Sequence, residues 1–191
     1  MFAIKWMFLG ATFFGLFGCG KPSANRSAEK QPLIKAGAIG SRLPDFSLND
    51  LNGDKISSVD FRGKVLLVDF WATWCEPCKR EMPGYQQLLD QYGAGGFAVV
   101  GFKFSMMADT DDPIRFAKKI GVRYPLAVAS DTLLNQFGGI EGLPTMMIYD
   151  RDGILRKKII GFEYTQNVEG ELKQLLHGAP RSESKVGGPK F

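Results

Sequence analysis

Residues 65–78 of this chain read VLLVDFWATWCEPC. The first seven form an apolar run broken only by Asp69, as expected of a central strand covered on both faces. Cys75 and Cys78 follow at the point where this strand should turn into a helix. The first N–H groups of a helix are unpaired and its dipole is positive there, so we expect the Cys75 sulfur to be stabilised as a thiolate, the form that attacks disulfides.

Two cysteines three residues apart are also half of a common zinc site. A tetrahedral zinc site needs four ligands, and this chain has one histidine, His177, and no second cysteine pair with this spacing. The strand before the pair and the Trp-Cys-x-Pro-Cys context of residues 74–78 favour a redox-active dithiol instead. We therefore predict no metal, and no cofactor beyond a redox-active Cys75–Cys78 disulfide.

Size and charge limit the class of protein. The chain has 191 residues, of which 45% are hydrophobic, enough to build one ordinary domain with appendages. Its net charge is +4, and it has no dense block of Lys and Arg interleaved with aromatic residues. Nucleic-acid binding is therefore not expected.

The N-terminal segment has the pattern of a secretory signal. Lys5 precedes the apolar stretch from Trp6 to Phe17, which Gly18 and Cys19 follow, and this stretch is shorter than the ~17–25 residues a membrane-spanning helix needs. We predict a signal peptide over 1–18. Cys19 after Gly18 resembles a bacterial lipobox, whose cysteine carries lipid after cleavage, although Phe17 is bulkier than usual there. The alternative is an uncleaved signal anchor in which Cys19 is a thiol without a role. Both place the domain on a membrane tether outside the cytoplasm, in the bacterial cell envelope.

The cysteine count supports a working disulfide. The chain contains three cysteines, and if Cys19 carries lipid, only Cys75 and Cys78 remain to pair with each other. No cysteine is then left for a structural disulfide. The disulfide that can form is therefore expected to be redox-active rather than structural.

Composition and periodicity divide the rest of the chain. Residues 19–41 read as a flexible linker, 42–177 as a single domain and 178–191 as a disordered tail. Within the domain we predict strands near 46–48 and 56 and over 65–71, 97–104, 126–129, 145–149 and 154–160, and helices over 76–92, 113–120, 133–137 and 165–176. Pro83 should kink the first helix. This order predicts the α/β class, with a central mixed sheet flanked by helices.

The predicted order resembles the thioredoxin fold, with an additional N-terminal β-hairpin and an inserted strand-and-helix segment around 97–129. The motifs VDFWATWCEPCKREMP (68–83) and GLPT (142–145) resemble in particular the TlpA/ResA group, which are membrane-tethered extracytoplasmic thiol–disulfide oxidoreductases linked to cytochrome c maturation. The resemblance covers about residues 43–177.

The site residues around the cysteines have distinct expected roles. Cys75, at the helix start, should attack, while Cys78, one turn further, should be more buried and resolve the mixed disulfide. The charge of Glu76 should oppose the thiolate, and Pro77 should stiffen the turn. Trp74 is expected to be partly exposed beside Cys75, where it shapes substrate access.

The resemblance also assigns a role to Leu143 and Pro144. In thioredoxin-like folds the proline at this position is cis, which implies that the Leu143 backbone is presented beside the disulfide to an extended substrate. The alternative is an ordinary loop proline at a strand entrance.

Two acids are candidates for moving protons. Asp69 interrupts the apolar strand, and thioredoxin-like proteins use an acid there, beneath the second cysteine, as a proton relay; the TlpA/ResA group more often has a neutral residue. Glu81 matches the acid that ResA-like proteins keep after the cysteines, and its spacing puts it on the helical face of Cys78. The alternatives are a solvent-facing Asp69 and a surface Glu81.

The resemblance implies a reductase of protein disulfides. It would take electrons from a membrane donor of the DsbD/CcdA type and pass them to an oxidised cysteine pair, such as that of apocytochrome c. A peroxiredoxin-like thiol peroxidase is one alternative, but its Pro-x-x-x-Thr-x-x-Cys pattern would need Pro and Thr where Val68 and Ala72 stand. The other is a non-catalytic lipoprotein assembly module that does not need its dithiol.

Overall fold

The computed structural model describes residues 34–105 and 111–178. In this part of the chain the strands and helices are β1 (Ser47–Asn49), β2 (Lys55–Ser57), β3 (Val65–Trp71), α1 (Glu76–Tyr92), β4 (Phe97–Lys103), α2 (Pro113–Ile120), β5 (Leu126–Val128), α3 (Asp131–Gln136), β6 (Thr145–Tyr149), β7 (Leu155–Ile160) and α4 (Thr165–His177). Their bounds agree with the predicted ones to within a few residues.

Five strands form a mixed sheet in the order β5-β4-β3-β6-β7. β3 and β4 run parallel, as do β4 and β5, whereas β6 is antiparallel to both β3 and β7. Every residue of β3 and β4 is buried, because helices cover one face of these strands and the hairpin region covers the other. β1 and β2 pair as a separate two-stranded sheet. The predicted mixed sheet and N-terminal hairpin are confirmed.

The sheet separates two apolar clusters. The cluster on the side of α1, α2 and α4 includes Leu67, Trp71, Cys75, Cys78, Met82, Tyr85, Leu88, Tyr124 and Leu172. The cluster on the other side includes Phe46, Phe61, Phe70, Phe102, Leu133, Phe137 and Tyr149. Because side chains alternate along β3, the odd-numbered residues from Val65 to Trp71 face α1.

Helix α1 carries the cysteines and begins directly after Cys75. Pro77 lies in its first turn, where the missing N–H costs nothing because those groups have no partner in the helix. The helix continues without interruption through Pro83 to Tyr92, so the proline does not end it.

Helix α2 shows how local signals set an element's ends. Asp112 accepts hydrogen bonds from the backbone N–H groups of Ile114 (2.9 Å) and Arg115 (3.3 Å), and Pro113 begins the helix. Gly121 ends it with φ 76°, a left-handed conformation that favours glycine. The predicted start and end are both confirmed.

The packed chain begins upstream of residue 42, the predicted domain start. The Gly40 N–H donates to the carbonyl of Leu155 (2.8 Å), and the Leu155 N–H donates to the carbonyl of Ser41 (2.8 Å). A Cβ on Gly37 would lie 2.1 Å from the carbonyl oxygen of Phe137. Glycine is therefore needed for close backbone contact here, whereas by composition alone the segment resembled a flexible linker.

Several predictions lie outside the described residues. These are the signal peptide over 1–18, Cys19, the linker up to residue 33 and the tail from residue 179 onward. Among the residues that are described, none of the helices is long and apolar enough to cross a membrane.

Candidate active site

Cys75 and Cys78 form a disulfide at the start of α1, the pairing that the sequence predicts. Cys75 is the N-cap residue of the helix, and its sulfur accepts a hydrogen bond from the Cys78 N–H at 3.3 Å. The helix terminus therefore places a donor and the positive end of its dipole at this sulfur. Cys75 is 3% exposed and Cys78 has no exposed surface, so the expected order of exposure holds while both sulfurs are buried in the oxidised protein.

The residues around Cys75 differ in exposure. Trp74 is 50% exposed, as expected of a residue that borders an open surface. Glu76 is exposed and forms an ion pair with Lys79 at 2.9 Å, and the hydrogen bond and charge of Lys79 lower its pKa. The negative charge of Glu76 is thus balanced by a neighbour within the same helical turn. Pro77 is partly buried.

Leu143 and Pro144 lead into β6. The peptide bond between them is cis, as the resemblance implies. The carbonyl of Pro144 accepts a hydrogen bond from the Gly161 N–H at 2.8 Å, which ties the start of β6 to the end of β7. Leu143 is half-buried and packs against the apolar cluster that contains Cys75 and Cys78.

Asp69 lies on β3 with no exposed surface, and it faces α1 between Leu67 and Trp71. Neither of its carboxyl oxygens has a hydrogen-bond partner among the described residues. Burial raises the pKa of Asp69 well above its usual range, and the charge of Glu81 raises that pKa further. The alternative of a solvent-facing Asp69 is wrong, and burial favours its protonated form.

Glu81 is 2% exposed, so the alternative of a surface glutamate is also wrong. It lies one turn beyond Cys78 on α1. Its carboxyl group accepts hydrogen bonds from the Tyr85 hydroxyl (3.1 Å) and from the Glu163 backbone N–H. Burial raises the pKa of Glu81, and these two hydrogen bonds offset part of that rise.

Two tyrosines belong to the same buried region. Tyr85 and Tyr124 are 1% and 3% exposed, and their pKa values are raised well above the usual range, first by burial and then by the charges of Asp69 and Glu81. Neither tyrosine was among the site residues predicted from the sequence. Periodicity counts tyrosine as apolar, and the signal that was available is that a buried tyrosine hydroxyl needs a hydrogen-bond partner.

Within the described ranges, no group of three or more His, Cys, Asp and Glu side chains could hold a metal ion. Around the disulfide, the structure thus places exposed Trp74 directly before Cys75 and packs Leu143 against the apolar cluster that contains both cysteines. Glu81 is buried one turn beyond Cys78, and Asp69 is buried on the side of β3 that faces α1.

Known proteins resemble this chain over most of its length. The pattern of the AhpC/TSA family matches residues 39–158. The thiol-disulfide oxidoreductase ResA of Bacillus thuringiensis (strain Al Hakam) is 33% identical over 138 residues, which cover 72% of this chain and 78% of that protein. The thioredoxin-like protein YneN of Bacillus subtilis (strain 168) is 34% identical over 134 residues, or 70% and 78% of the two chains.

The fold has matches among solved structures as well. A crystal structure described as a thiol:disulfide interchange protein DsbE from Chlorobium tepidum matches with a TM-score of 0.65 and 29% identity, over 73% of this chain and 98% of that one.

A cysteine pair at the start of the helix that follows the central strand of a mixed sheet defines the thioredoxin-like thiol–disulfide oxidoreductases. The matches are more specific, because they show that this chain belongs to the AhpC/TSA family and, within it, to the oxidoreductases of the TlpA/ResA type. These proteins act on protein disulfides, and they do so with a redox-active cysteine pair rather than an external cofactor.

Proposed function

We propose that this protein reduces disulfides of other proteins outside the cytoplasm while a lipid on Cys19 tethers it to a membrane. The observation that carries the proposal is the Cys75–Cys78 disulfide, whose first sulfur caps α1, with Glu81 buried one turn beyond Cys78 and Asp69 buried on the side of β3 that faces α1. The Cys-Glu-Pro-Cys sequence supports the direction of reduction through its resemblance to the TlpA/ResA group. The leader over 1–18 supports the location.

The first step joins the two proteins. In the reduced enzyme the Cys75 thiolate attacks one sulfur of the substrate disulfide, so a Cys75–substrate bond forms and the substrate S–S bond breaks. The second substrate sulfur leaves as a thiolate and takes a proton. The N-terminus of α1 stabilises the attacking thiolate, because its N–H groups and dipole favour negative charge at that position.

The second step releases the substrate. The Cys78 thiol gives its proton to a buried carboxylate and then attacks the Cys75 sulfur, which re-forms the Cys75–Cys78 disulfide and expels the remaining substrate thiolate. Two electrons have then passed from the enzyme to the substrate. Asp69 and Glu81 suit the role of proton acceptor, because burial raises the pKa of both above the usual range and so makes each carboxylate a stronger base.

The partners follow from the direction of electron flow. A membrane donor of the DsbD/CcdA type would return electrons to the enzyme, and apocytochrome c with an oxidised cysteine pair would be a substrate. The resemblance to the TlpA/ResA group supports both partners.

Trapping tests the exchange reaction. Cys78→Ser leaves Cys75 able to attack but removes the resolving sulfur, so the reduced variant should retain substrate proteins in adducts that a thiol reductant releases. Cys75→Ser is the matched control and should retain none. Equal yields from both variants, or none from Cys78→Ser, would contradict the assigned roles.

Cell fractionation tests the tether. The full chain should sediment with membranes, and Cys19→Ser should move the protein to the soluble fraction if lipid on this cysteine is the anchor. A variant that stays with the membranes would support the uncleaved signal anchor instead.

Two assays address the other functions. A peroxidase would consume peroxide at a rate that depends on Cys75, which purified protein can be tested for directly. An assembly module would keep its cellular phenotype in the Cys75→Ser strain, whereas a reductase would lose it.

A further inference from the structure

Two further polar groups lie buried near Asp69 without a hydrogen-bond partner. They are the indole N–H of Trp71 and the hydroxyl of Tyr124. Trp71 has no exposed surface and Tyr124 is 3% exposed. Among the described residues, every buried side-chain polar atom without a partner, apart from Ser41 Oγ, belongs to Asp69, Trp71 or Tyr124. Unpartnered buried groups are rare in folded proteins, so their concentration on these three residues calls for a shared cause.

Two of the three residues lie on β3, and Tyr124 lies two residues before β5. Asp69 and Trp71 are two residues apart on β3 and therefore face the same side. Gly101 of β4 is the register partner of Asp69, and Trp71 Nε1 lies 3.0 Å from the point that a Cβ on Gly101 would occupy. The Gly101 N–H donates to the carbonyl of Pro125 at 2.9 Å, and Tyr124 directly precedes that proline. Tyr124 and Trp71 also belong to the same apolar cluster.

The hydrogen-bonding capacities of these groups are complementary. An indole N–H can only donate, a phenol hydroxyl can donate, and an ionised carboxylate can only accept. A buried water molecule typically makes two to four hydrogen bonds to groups of this kind. One water that accepts from Trp71 and Tyr124 and donates to Asp69 would satisfy all three side chains.

We propose that Trp71 and Tyr124 bind a buried water molecule against Asp69, and that Tyr124 is a positioning residue for the Asp69 proton. This inference rests on the proposed function, since the Asp69 proton matters to activity only in a relay to Cys78. Donors that act on the carboxylate through the water stabilise its ionised form. Removing the Tyr124 hydroxyl therefore makes Asp69 harder to ionise.

The other groups that face Asp69 do not offer the same donor. From α1 come Glu81, whose charge raises the pKa of Asp69, and Tyr85, whose hydroxyl is already bound to Glu81 at 3.1 Å. The strands on either side place Gly101 and Met146 opposite Asp69, and neither side chain is charged. Lys103, two residues beyond Gly101 on the same face of β4, is buried opposite Trp71 and donates a hydrogen bond to the Ser105 hydroxyl at 3.3 Å. The cysteines at the start of α1 do not titrate in the oxidised protein. Of the two described tyrosines whose pKa the Asp69 charge raises, Tyr124 is thus the one with an uncommitted hydroxyl.

The direct test is a carbon NMR titration of the Asp69 carboxyl group in the oxidised protein. Tyr124→Phe should raise the titration midpoint by about one pH unit, a tenfold change in proton affinity. The matched control is Tyr149→Phe, because Tyr149 is 1% exposed, lies on the opposite face of the sheet and directs its hydroxyl to the Met147 sulfur at 3.6 Å. An unchanged midpoint in Tyr124→Phe, or an equal shift in both variants, overturns the proposal.

A second measurement uses the wild-type protein and does not depend on a variant folding. Magnetisation transfer from the Trp71 indole proton to a long-lived water should be present in the oxidised protein. Its absence overturns the proposal.

The pH dependence of the reduction rate distinguishes the proposed water site from the proposed proton relay between Asp69 and Cys78. The pH profile of disulfide reduction should shift to higher pH in Tyr124→Phe, and the same substitution should cause no further shift in an Asp69→Asn background. A raised Asp69 midpoint together with a pH profile that Asp69→Asn leaves unchanged would support the water site and refute the relay. An unshifted midpoint refutes the water site and leaves the exchange between Cys75 and Cys78 unaffected.

Discussion

Replacing Asp69 with asparagine should change how the stability of the oxidised protein depends on pH. Asp69 has no exposed surface and no hydrogen-bond partner for either carboxyl oxygen. Folding therefore removes its hydration without replacing it, which raises the pKa of the folded carboxyl group well above its usual range, with Glu81 adding to the rise. Asparagine has nearly the same shape and does not titrate.

The difference between the folded and unfolded pKa values of Asp69 sets the size and sign of this effect on stability. An aspartate in the unfolded chain titrates near pH 3.9. Between this value and the raised folded pKa, the native protein holds one more proton than the unfolded chain, so its free energy of unfolding falls by about 1.4 kcal/mol for each pH unit. The variant lacks this loss. Its stability relative to wild type should therefore rise with that slope from about pH 4 and level off above the folded pKa of Asp69.

Urea unfolding between about pH 4 and pH 8, followed by tryptophan fluorescence, measures this difference. The protein is kept oxidised so that neither cysteine titrates. The cost of burying an amide shifts the whole curve by a constant and does not alter the slope. Asp54→Asn, at an exposed position before β2, controls for the chemical change itself. A stability difference between Asp69→Asn and wild type that stays constant or falls as pH rises would refute the reasoning.

Three further predictions concern packing, capping and thiol reactivity. Gly84→Ala should lower the free energy of unfolding by about 1–3 kcal/mol, because a Cβ there would lie 2.1 Å from Thr165 Oγ1. Gly170→Ala, at a position with open space on α4, should instead raise that free energy by roughly 0.5–1 kcal/mol. A lower stability in both variants would contradict the packing argument. Asp112→Ala should cost about 1 kcal/mol in thermal unfolding by removing the α2 cap, and an unchanged melting temperature would argue against it. In the reduced protein, alkylation at mildly acid pH should modify Cys75 faster than free cysteine; a rate no faster than that of free cysteine would mean that the helix start does not activate it.

The strands, the helices and the position of the disulfide could all be predicted from local sequence. Each of these depends on signals within a few neighbouring residues. The apolar run of 65–71 defined β3, the Asp112-Pro113 pair and Gly121 marked the ends of α2, and the cysteine spacing put both sulfurs in one helical turn. The motif around Pro144 indicated the cis bond through resemblance rather than through local physics.

The environment of Asp69 and Glu81, in contrast, depends on how distant parts of the chain pack together. The sequence was compatible with either a buried or an exposed side chain at Asp69 and at Glu81, because burial depends on which distant segments pack against them. Glu81 is buried by contacts that include the backbone of Glu163, 82 residues further along the chain. Asp69 is enclosed because β4 and β6 lie on either side of β3, and Tyr124 reaches the same region because β5 pairs with β4. Local sequence patterns do not predict which distant strands pair, so the buried polar region around Asp69 could not be predicted from them.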